Sequence, residues 1–488
     1  MPSVPRPRLV IAAIRGGGGK TVLSLGLVRA FRKKGLRVVP FKKGPDYIDA
    51  AWLAAAAGVP CCNLDPYLMT PDGIRDSFAF RSGGADLTLI EGNRGLFDGR
   101  DVKGASSTAE LAKLLAAPVV LVVDCTKMTR TVAALVLGCM QLDPETQIQA
   151  VILNQIATDR HERVVRQAVE ENTGLPVLGA VRRMKADPIP MRHLGLIPRD
   201  EYPGAMEQLD RLAGVITDSV DLQALRAIMT RHQGWAFGEP DAWPSGIRRQ
   251  YSLSTVPRIG VIRDGAFQFY YPENLEALEA AGAELTFIDA LRDGRLPDID
   301  GLYIGGGFPE TQSSGLSANR SLRKEILQAI ESGLPVYAEC GGLMYLGRQI
   351  VWKGSRYSMV GAIGWDFVLS GKPAGHGYSE LEVRSENPFF PKGTRLKGHE
   401  FHYSRPIQVD GKAAGLLTCR VIRGFGFDGA MDGIVRCNLF GTYTHIHAVE
   451  RPEWAVGIVR AAEKHRLMKS APAPPDPGAD SVVSAVKN

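Results

Sequence analysis

The 488-residue sequence contains no run of eighteen or more apolar residues, and its mean hydropathy is −0.06, which excludes a membrane-spanning helix. It also lacks any Cys-x-x-Cys pair. Its seven cysteines (Cys61, Cys62, Cys125, Cys139, Cys340, Cys419 and Cys437) therefore offer neither zinc-site spacing nor an even-numbered disulfide framework. Most are expected to be buried free thiols. A surplus of one charge is missing too: 58 Lys and Arg face 52 Asp and Glu, and a net +6 over this length is too mild to imply nucleic acid or a membrane surface. The first apolar run, residues 9–14, is only six residues long and is followed at once by glycines, which is not a signal-peptide pattern. A cytoplasmic location is the expectation. No fixed-period repeat stands out.

At 45% apolar and 23% charged residues, the chain reads as globular. Its length exceeds what one hydrophobic core usually serves, so two or more domains are expected. Short apolar runs at 8–14, 36–41, 86–90, 119–124, 150–154 and 177–181 alternate with helix-sized segments, the rhythm of a mostly parallel, helix-covered sheet. The stretch 233–256 is rich in Gly and Pro and lacks periodicity, so it reads as a linker. A second α/β series begins at 258–262 and continues through 301–304 and 335–339. The end of the chain, 470–488, has few core-forming residues and reads as a disordered tail. Glycine is abundant, at 54 residues, and it clusters.

The first cluster, Arg15-Gly16-Gly17-Gly18-Gly19-Lys20-Thr21, lies between an expected strand and an expected helix. Such a loop turns its N–H groups inward at a helix N-terminus and cradles phosphates. Lys20 would reach the β- and γ-phosphates, and Thr21 would ligate Mg²⁺. Ile14 stands where the full phosphate-loop pattern has its first Gly. Glu91 ends the run 86–91, in the place of an acid that holds Mg²⁺. Gly44-Pro45-Asp46-Tyr47-Ile48-Asp49 follows another strand and adds two carboxylates where open α/β sheets collect ligands. Asp98, in Gly95-Leu-Phe-Asp98-Gly99, is a weaker addition because Asp-Gly is ordinary turn chemistry.

The second cluster surrounds Cys340 in Val336-Tyr-Ala-Glu-Cys340-Gly-Gly-Leu-Met-Tyr345. A strand that runs into a nucleophile, then glycines and a helix, is an elbow that presents the side chain. A helix N-terminus there would lower the thiol pKa. Gly305-Gly306-Gly307 could supply oxyanion-binding N–H groups. His399, His402, His445 and His447 are the candidate bases, and strand alternation puts His445 and His447 on one face without separating them.

With these residues in hand, the chain resembles the cobyrinate a,c-diamide synthase group of glutamine-dependent amidoligases over about residues 8–465. The matching segments are Phe41-Lys-Lys-Gly-Pro-Asp-Tyr-Ile-Asp49, Asn63-Leu-Asp-Pro66, Ile90-Glu-Gly92, Gly95-Leu-Phe-Asp-Gly99 and His193-Leu-Gly-Leu196 in the first half. In the second half they are Phe269-Tyr-Tyr-Pro-Glu-Asn-Leu275, Gly305-Gly-Gly-Phe-Pro-Glu310, Ala338-Glu-Cys-Gly-Gly-Leu343 and Gly398-His-Glu-Phe-His-Tyr-Ser404. The resemblance implies a P-loop NTPase-like, mostly parallel α/β domain (7–232) followed by a triad-type (class I) glutamine amidotransferase α/β domain (257–465). Cys340 would attack the glutamine amide and His445 would activate it. ATP with Mg²⁺ would phosphorylate side-chain carboxylates of cobyrinate, and ammonia would displace the phosphate. Gly17, Gly19, Lys20 and Thr21 would meet the nucleotide, and Asn154 the adenine. Thr21, Asp46 and Glu91 would meet the metal. Asp46, Tyr47, Ile48 and Asp98 would meet the acid substrate.

The chain departs from the family at several positions. Its phosphate loop has less serine, Lys43 replaces a frequent Val, Ala50 replaces a Pro, and Tyr443-Thr-His-Ile-His-Ala448 replaces Tyr-Leu-His-Leu-His-Trp. Lys43 suits an anionic ring or is a solvated surface lysine. Relatives thought to amidate sirohaem or nickel-sirohydrochlorin make those macrocycles the alternative substrates. A partitioning-type P-loop ATPase that binds a partner is the alternative of another class. Expected partners are L-glutamine and a tetrapyrrole-derived polycarboxylate, with no nucleic acid and no membrane, and a homodimer is left open.

Overall fold

The computed structural model describes residues 6–184, 189–192, 195–231, 253–409 and 415–470. The expected tail from 471 onward, the linker up to 252 and His193 lie outside the described residues. Residues 253–256, the end of the expected linker, touch the second half: Leu253 packs on its core, and Ser254 N donates to Glu463 Oε1 at 2.5 Å. No helix among the described residues is long and apolar enough to cross a membrane.

The first half is built on a seven-stranded sheet of β1 (Arg8–Ala13), β2 (Val38–Lys43), β3 (Cys62–Leu64), β4 (Leu87–Glu91), β5 (Val119–Asp124), β6 (Ile148–Ile156) and β7 (Val177–Arg182). The order across it is β3-β2-β4-β1-β5-β6-β7, and every pairing is parallel. Parallel strands need helical crossovers, which cover both faces and make the central strands apolar throughout. In β1, Val10 and Ala12 enter one core while Leu9, Ile11 and Ala13 enter the other. Helix α1 (Lys20–Lys33) leaves β1 through the glycine loop, and α2 (Tyr47–Ala57) leaves β2 through the Gly-Pro-Asp turn. Because β1, β2 and β4 are neighbours, their C-terminal ends bring Lys20, Asp46 and Glu91 to one sheet edge.

The second half is a ten-stranded sheet. Strands Glu284–Ile288, Arg258–Ile262, Gly301–Ile304, Val336–Glu339 and Leu439–Thr442 are parallel, and the remainder is antiparallel out to Arg395–His402 and His445–Ile446. Pairing of Glu339 with Thr442 sets Cys340 beside the end of the strand that leads to His445. The final helix, Pro452–Ser470, carries the second half beyond the expected 465. The halves are joined by an Arg81–Glu276 ion pair, a Tyr378 hydroxyl donated to Asp65 Oδ2 at 2.8 Å, and Thr70 N donated to Glu450 Oε2 at 3.2 Å.

Candidate active sites and the cavity between them

At the phosphate loop, Gly17 and Gly19 take left-handed φ values of 71° and 91°. A Cβ at Gly19 would overlap the Asn154 amide, which donates to Gly18 O at 3.1 Å. Asn154, expected at the adenine, therefore braces the loop here. Asp124 at the end of β5, the register partner of Asn154, also holds the loop, pairing with Arg15 at 2.7 Å. Lys20 Nζ donates to Arg94 O at 2.6 Å and Arg15 O at 3.3 Å. Burial brings Lys20 down to about 8, against the pull of Glu91.

Below the loop lies a buried charge cluster centred on Lys42, a residue the sequence reading left without a role. Its Nζ lies 2.7 Å from Asp49, 2.8 Å from Glu91 and 4.0 Å from Asp46. Burial opposes the Lys42 charge, but Asp49, Glu91 and Asp46 outweigh it and hold the ammonium well above its ordinary range. Three carboxylates around one ammonium leave excess negative charge: burial, then Asp49, push Asp46 up to about 7. Thr21 Oγ1 donates to Glu91 Oε1 at 2.7 Å, while Glu91 Oε2 is buried with no hydrogen-bond partner among the described residues. An orphaned anionic oxygen beside a hydroxyl suits a hard cation, so these residues fit Mg²⁺. Among the described residues no group of three or more His, Cys, Asp or Glu is placed to hold a metal ion. Mg²⁺ held through one or two carboxylates, substrate phosphates and water does not need such a group.

The Gly-Pro-Asp turn is built locally. Gly44 has φ 86°, and Asp46 caps α2 by accepting from Asp49 N at 2.9 Å. Asn63, from the Asn63-Leu-Asp-Pro66 segment, clamps the turn through Gly44 O at 2.7 Å and Asp46 O at 3.0 Å. Tyr47 then projects into the other half. Its ring stacks on Phe269 at 5.0 Å and lies 5.5 Å from the His445 ring.

Cys340 sits at a backbone of φ 47° and ψ −97°, the strained elbow that its Gly-Gly sequel predicts. Its thiol departs from expectation. Burial pushes it well above the ordinary thiol range, Glu310 and Glu339 add to this, and the Gly341 N–H opposes it. The helix Gly341–Leu346 is one short turn and a half, too little to offset desolvation. A thiol raised in this way needs a base for attack. His445 lines the same cavity as Cys340; its Nδ1 lies 3.2 Å from Glu339 Oε2, and Ile446 N donates to Glu339 Oε1 at 3.2 Å. His447 sits elsewhere, against Tyr271 at 4.5 Å, and burial brings it down to about 3. His399 is the cross-strand partner of His445, with rings stacked at 4.9 Å. Burial, then His445, holds His399 well below the ordinary histidine range. Of the glycine triplet, Gly305 N is engaged by the Tyr270 hydroxyl at 2.8 Å, while Gly307 lines the space beside Cys340.

One cavity of about 460 Å³ gathers residues from both halves. Asp46, Tyr47, Ile48 and Asp98 line it from the first half, and Cys340 and His445 from the second. Lys20, Thr21, Glu91 and Asn154 are not among its lining residues; Lys42, between Glu91 and Asp46, links the two regions.

Comparison with known proteins agrees with this two-part organisation. The profile of the CobQ/CobB/MinD/ParA nucleotide binding domain matches residues 9–197. That of the CobB/CobQ-like glutamine amidotransferase domain matches residues 258–453. Full-length relatives include the cobyrinate a,c-diamide synthase of Magnetococcus marinus, 42% identical over 93% of this chain and 97% of its own length. That of Archaeoglobus fulgidus is 40% identical over 94% and 98%, and that of Methanosarcina acetivorans 38% over 95% and 97%. A nucleotide-binding half and a glutamine amidotransferase half, meeting at one cavity and similar to these relatives along nearly their whole length, place the chain in the cobyrinate a,c-diamide synthase family.

Proposed function

We propose that the chain amidates the a- and c-side-chain carboxylates of cobyrinate with ATP and glutamine. The observation that carries this reading is the shared cavity, in which the Cys340–His445 pair faces the Asp46-Tyr47-Ile48 turn. Carboxylates are poor electrophiles and ammonium is no nucleophile, so the reaction needs an activated acid and unprotonated ammonia in one enclosed space.

In the second half, the Cys340 sulfur attacks the glutamine amide carbon and its proton passes to His445, held by Glu339. The C–N bond breaks, the proton leaves on ammonia, and water cleaves the resulting thioester to glutamate and free thiol. In the first half, the substrate carboxylate takes the γ-phosphoryl group of ATP and ADP leaves; ammonia then attacks the acyl carbon, the C–O bond to phosphate breaks, and the amide forms as ammonia gives up a proton. Lys20 and the glycine loop hold the phosphates. Thr21, Asp46 and Glu91 would hold Mg²⁺, which neutralises phosphate charge when bound. Tyr47, Ile48 and Asp98 position the acid beside the ammonia source.

Purified protein given Mg·ATP, glutamine and each macrocycle separately tests this. Cobyrinate should be consumed with formation of the diamide, and the Cys340→Ala variant should lose glutamine-dependent but keep ammonia-dependent amidation. Turnover of sirohaem or nickel-sirohydrochlorin but not cobyrinate would reassign the substrate. Unchanged glutamine use by the variant would remove Cys340 from the chemistry. A partitioning-type ATPase would leave the cavity and its thiol elbow without a use, and ATP turnover that needs only DNA or lipid would revive that reading.

A further inference from the structure

Lys43 is neither a core residue by chemistry nor a solvated surface lysine. It is 5% exposed, it lines the cavity, and among the described residues it has no hydrogen-bond or ion-pair partner. Asp65, the acid whose charge acts on Lys43, makes its hydrogen bonds elsewhere, with Tyr67 N at 2.7 Å, Leu68 N at 3.2 Å and the Tyr378 hydroxyl at 2.8 Å. Burial lowers the Lys43 pKa; Asp65 pulls it back up, and Arg94 and Lys42 lower it again. A buried, unpaired ammonium is costly in the free protein and is retained where something anionic arrives to pair with it.

Three more cations line the same cavity. Arg94 and Arg100 come from the loop after β4, and Arg423 from the end of strand Leu416–Arg423 in the other half. Arg94 has a left-handed φ of 52°, and its carbonyl is held by Lys20. Arg100 and Arg423 approach the Tyr67 ring at 5.5 and 5.7 Å from opposite halves of the chain. Of the cavity acids, Asp46 is engaged with Lys42 and Asp49 N, Asp98 with Gly95 N and Glu400 with Gly426 N; Glu310 lines the cavity as well. Arg100 lies 3.9 Å from Asp101 at the rim, and among the described residues no ion pair joins Lys43, Arg94 or Arg423 to these acids.

We propose that Lys43, Arg94, Arg100 and Arg423 form a carboxylate-binding wall that holds the peripheral, non-reacting carboxylates of the macrocycle. Both halves contribute to it, with Lys43 as the buried anchor. This rests on the reading of the substrate as a polycarboxylate ring. Several fixed cations suit carboxylates that radiate from a rigid ring, because each contact then costs little further ordering. ATP is not the anion in question, since its phosphates have their own loop at Lys20.

The test is binding, followed by tryptophan quenching and by thermal shift, of cobyrinate, of its fully methyl-esterified form and of sirohaem to wild-type, Lys43→Met, Lys43→Arg and Arg423→Met proteins. Lys43→Met should fold with an equal or higher melting temperature, because a buried unpaired charge is removed. It should bind cobyrinate at least tenfold more weakly, while Mg·ATP affinity and glutamine hydrolysis stay as in wild type. The ester should bind wild type and Lys43→Met alike. Lys43→Arg should stay within about threefold of wild type, and Arg423→Met should weaken binding severalfold. Equal cobyrinate affinity in wild type and Lys43→Met would overturn the anchor, and an unchanged Arg423→Met would confine the wall to the first half. A wild type that binds neither cobyrinate nor sirohaem would overturn the polycarboxylate reading itself, and the wall with it.

Discussion

Glu339 Oε2 lies 3.2 Å from His445 Nδ1, although the two residues are 106 positions apart in the chain. Glu339 immediately precedes Cys340, so one strand delivers both the thiol and the carboxylate on His445, which in the proposed mechanism orients the base. A carboxylate on Nδ1 fixes the imidazole tautomer and leaves Nε2 to accept the proton. Glu339→Gln should lower kcat for glutamine hydrolysis by about 10³-fold or more, while ammonia-dependent amidation stays near wild type. A loss of less than tenfold would remove Glu339 from the machinery.

Gly306 sits against the same imidazole. A Cβ there would overlap His445 Cε1 and lie 3.1 Å from Nε2. Gly306→Ala must therefore displace the ring, and a shift of this kind costs on the order of 10²-fold in rate. The expected result is loss of glutaminase activity with ammonia-dependent amidation retained. Steady-state assays with either nitrogen source measure both.

Lys42 joins three carboxylates, and its side chain is 2% exposed. Lys42→Met would leave Asp46, Asp49 and Glu91 facing one another without a counter-charge, at a cost of about 3–5 kcal/mol. The urea midpoint should fall in proportion, and Mg·ATP should recover part of the loss by supplying the missing positive charge. An unchanged midpoint would show that the cluster discharges by taking up protons instead.

His447 supplies a pH dependence whose sign follows from its burial. Its folded pKa, about 3, is depressed below the ordinary 6.5. The unfolded chain therefore binds the proton more readily. The stability this group contributes is present above pH 6.5 and is lost as pH falls towards 3, approaching about 1.4 kcal/mol per pH unit. Asp264 and Asp432, pushed up to about 6 by burial, act in the opposite sense, stabilising below pH 3.8 and losing that contribution as pH rises through 6. The difference between wild type and His447→Gln isolates the histidine: between pH 7 and 5 the variant's urea midpoint should fall less steeply.

Much of this was legible in the chain. The apolar runs became β1, β4, β5, β6 and β7 with shifts of a residue or two, because strands buried on both faces must be apolar throughout. Glycine clusters at 16–19 and 341–342 marked the loop and the elbow, since a phosphate loop and a strained nucleophile turn both need backbone that side chains would obstruct. Strand alternation could not separate His445 from His447. In the folded chain Glu339 meets His445 while His447 lies against Tyr271, a difference that rests on a pairing of distant strands that no local pattern encodes.

The amino-acid sequence by itself determined the two halves, their α/β rhythm and the chemistry-bearing motifs, because these depend on periodicity and on which side chains neighbour one another in the chain. Tertiary structure alone decided three things. Lys42 is the counter-charge of three acids, burial raises the Cys340 thiol, and Asp46 and Tyr47 share a cavity with Cys340 and His445. Each depends on distance and desolvation between residues far apart in the chain, and neither quantity exists until the chain has folded.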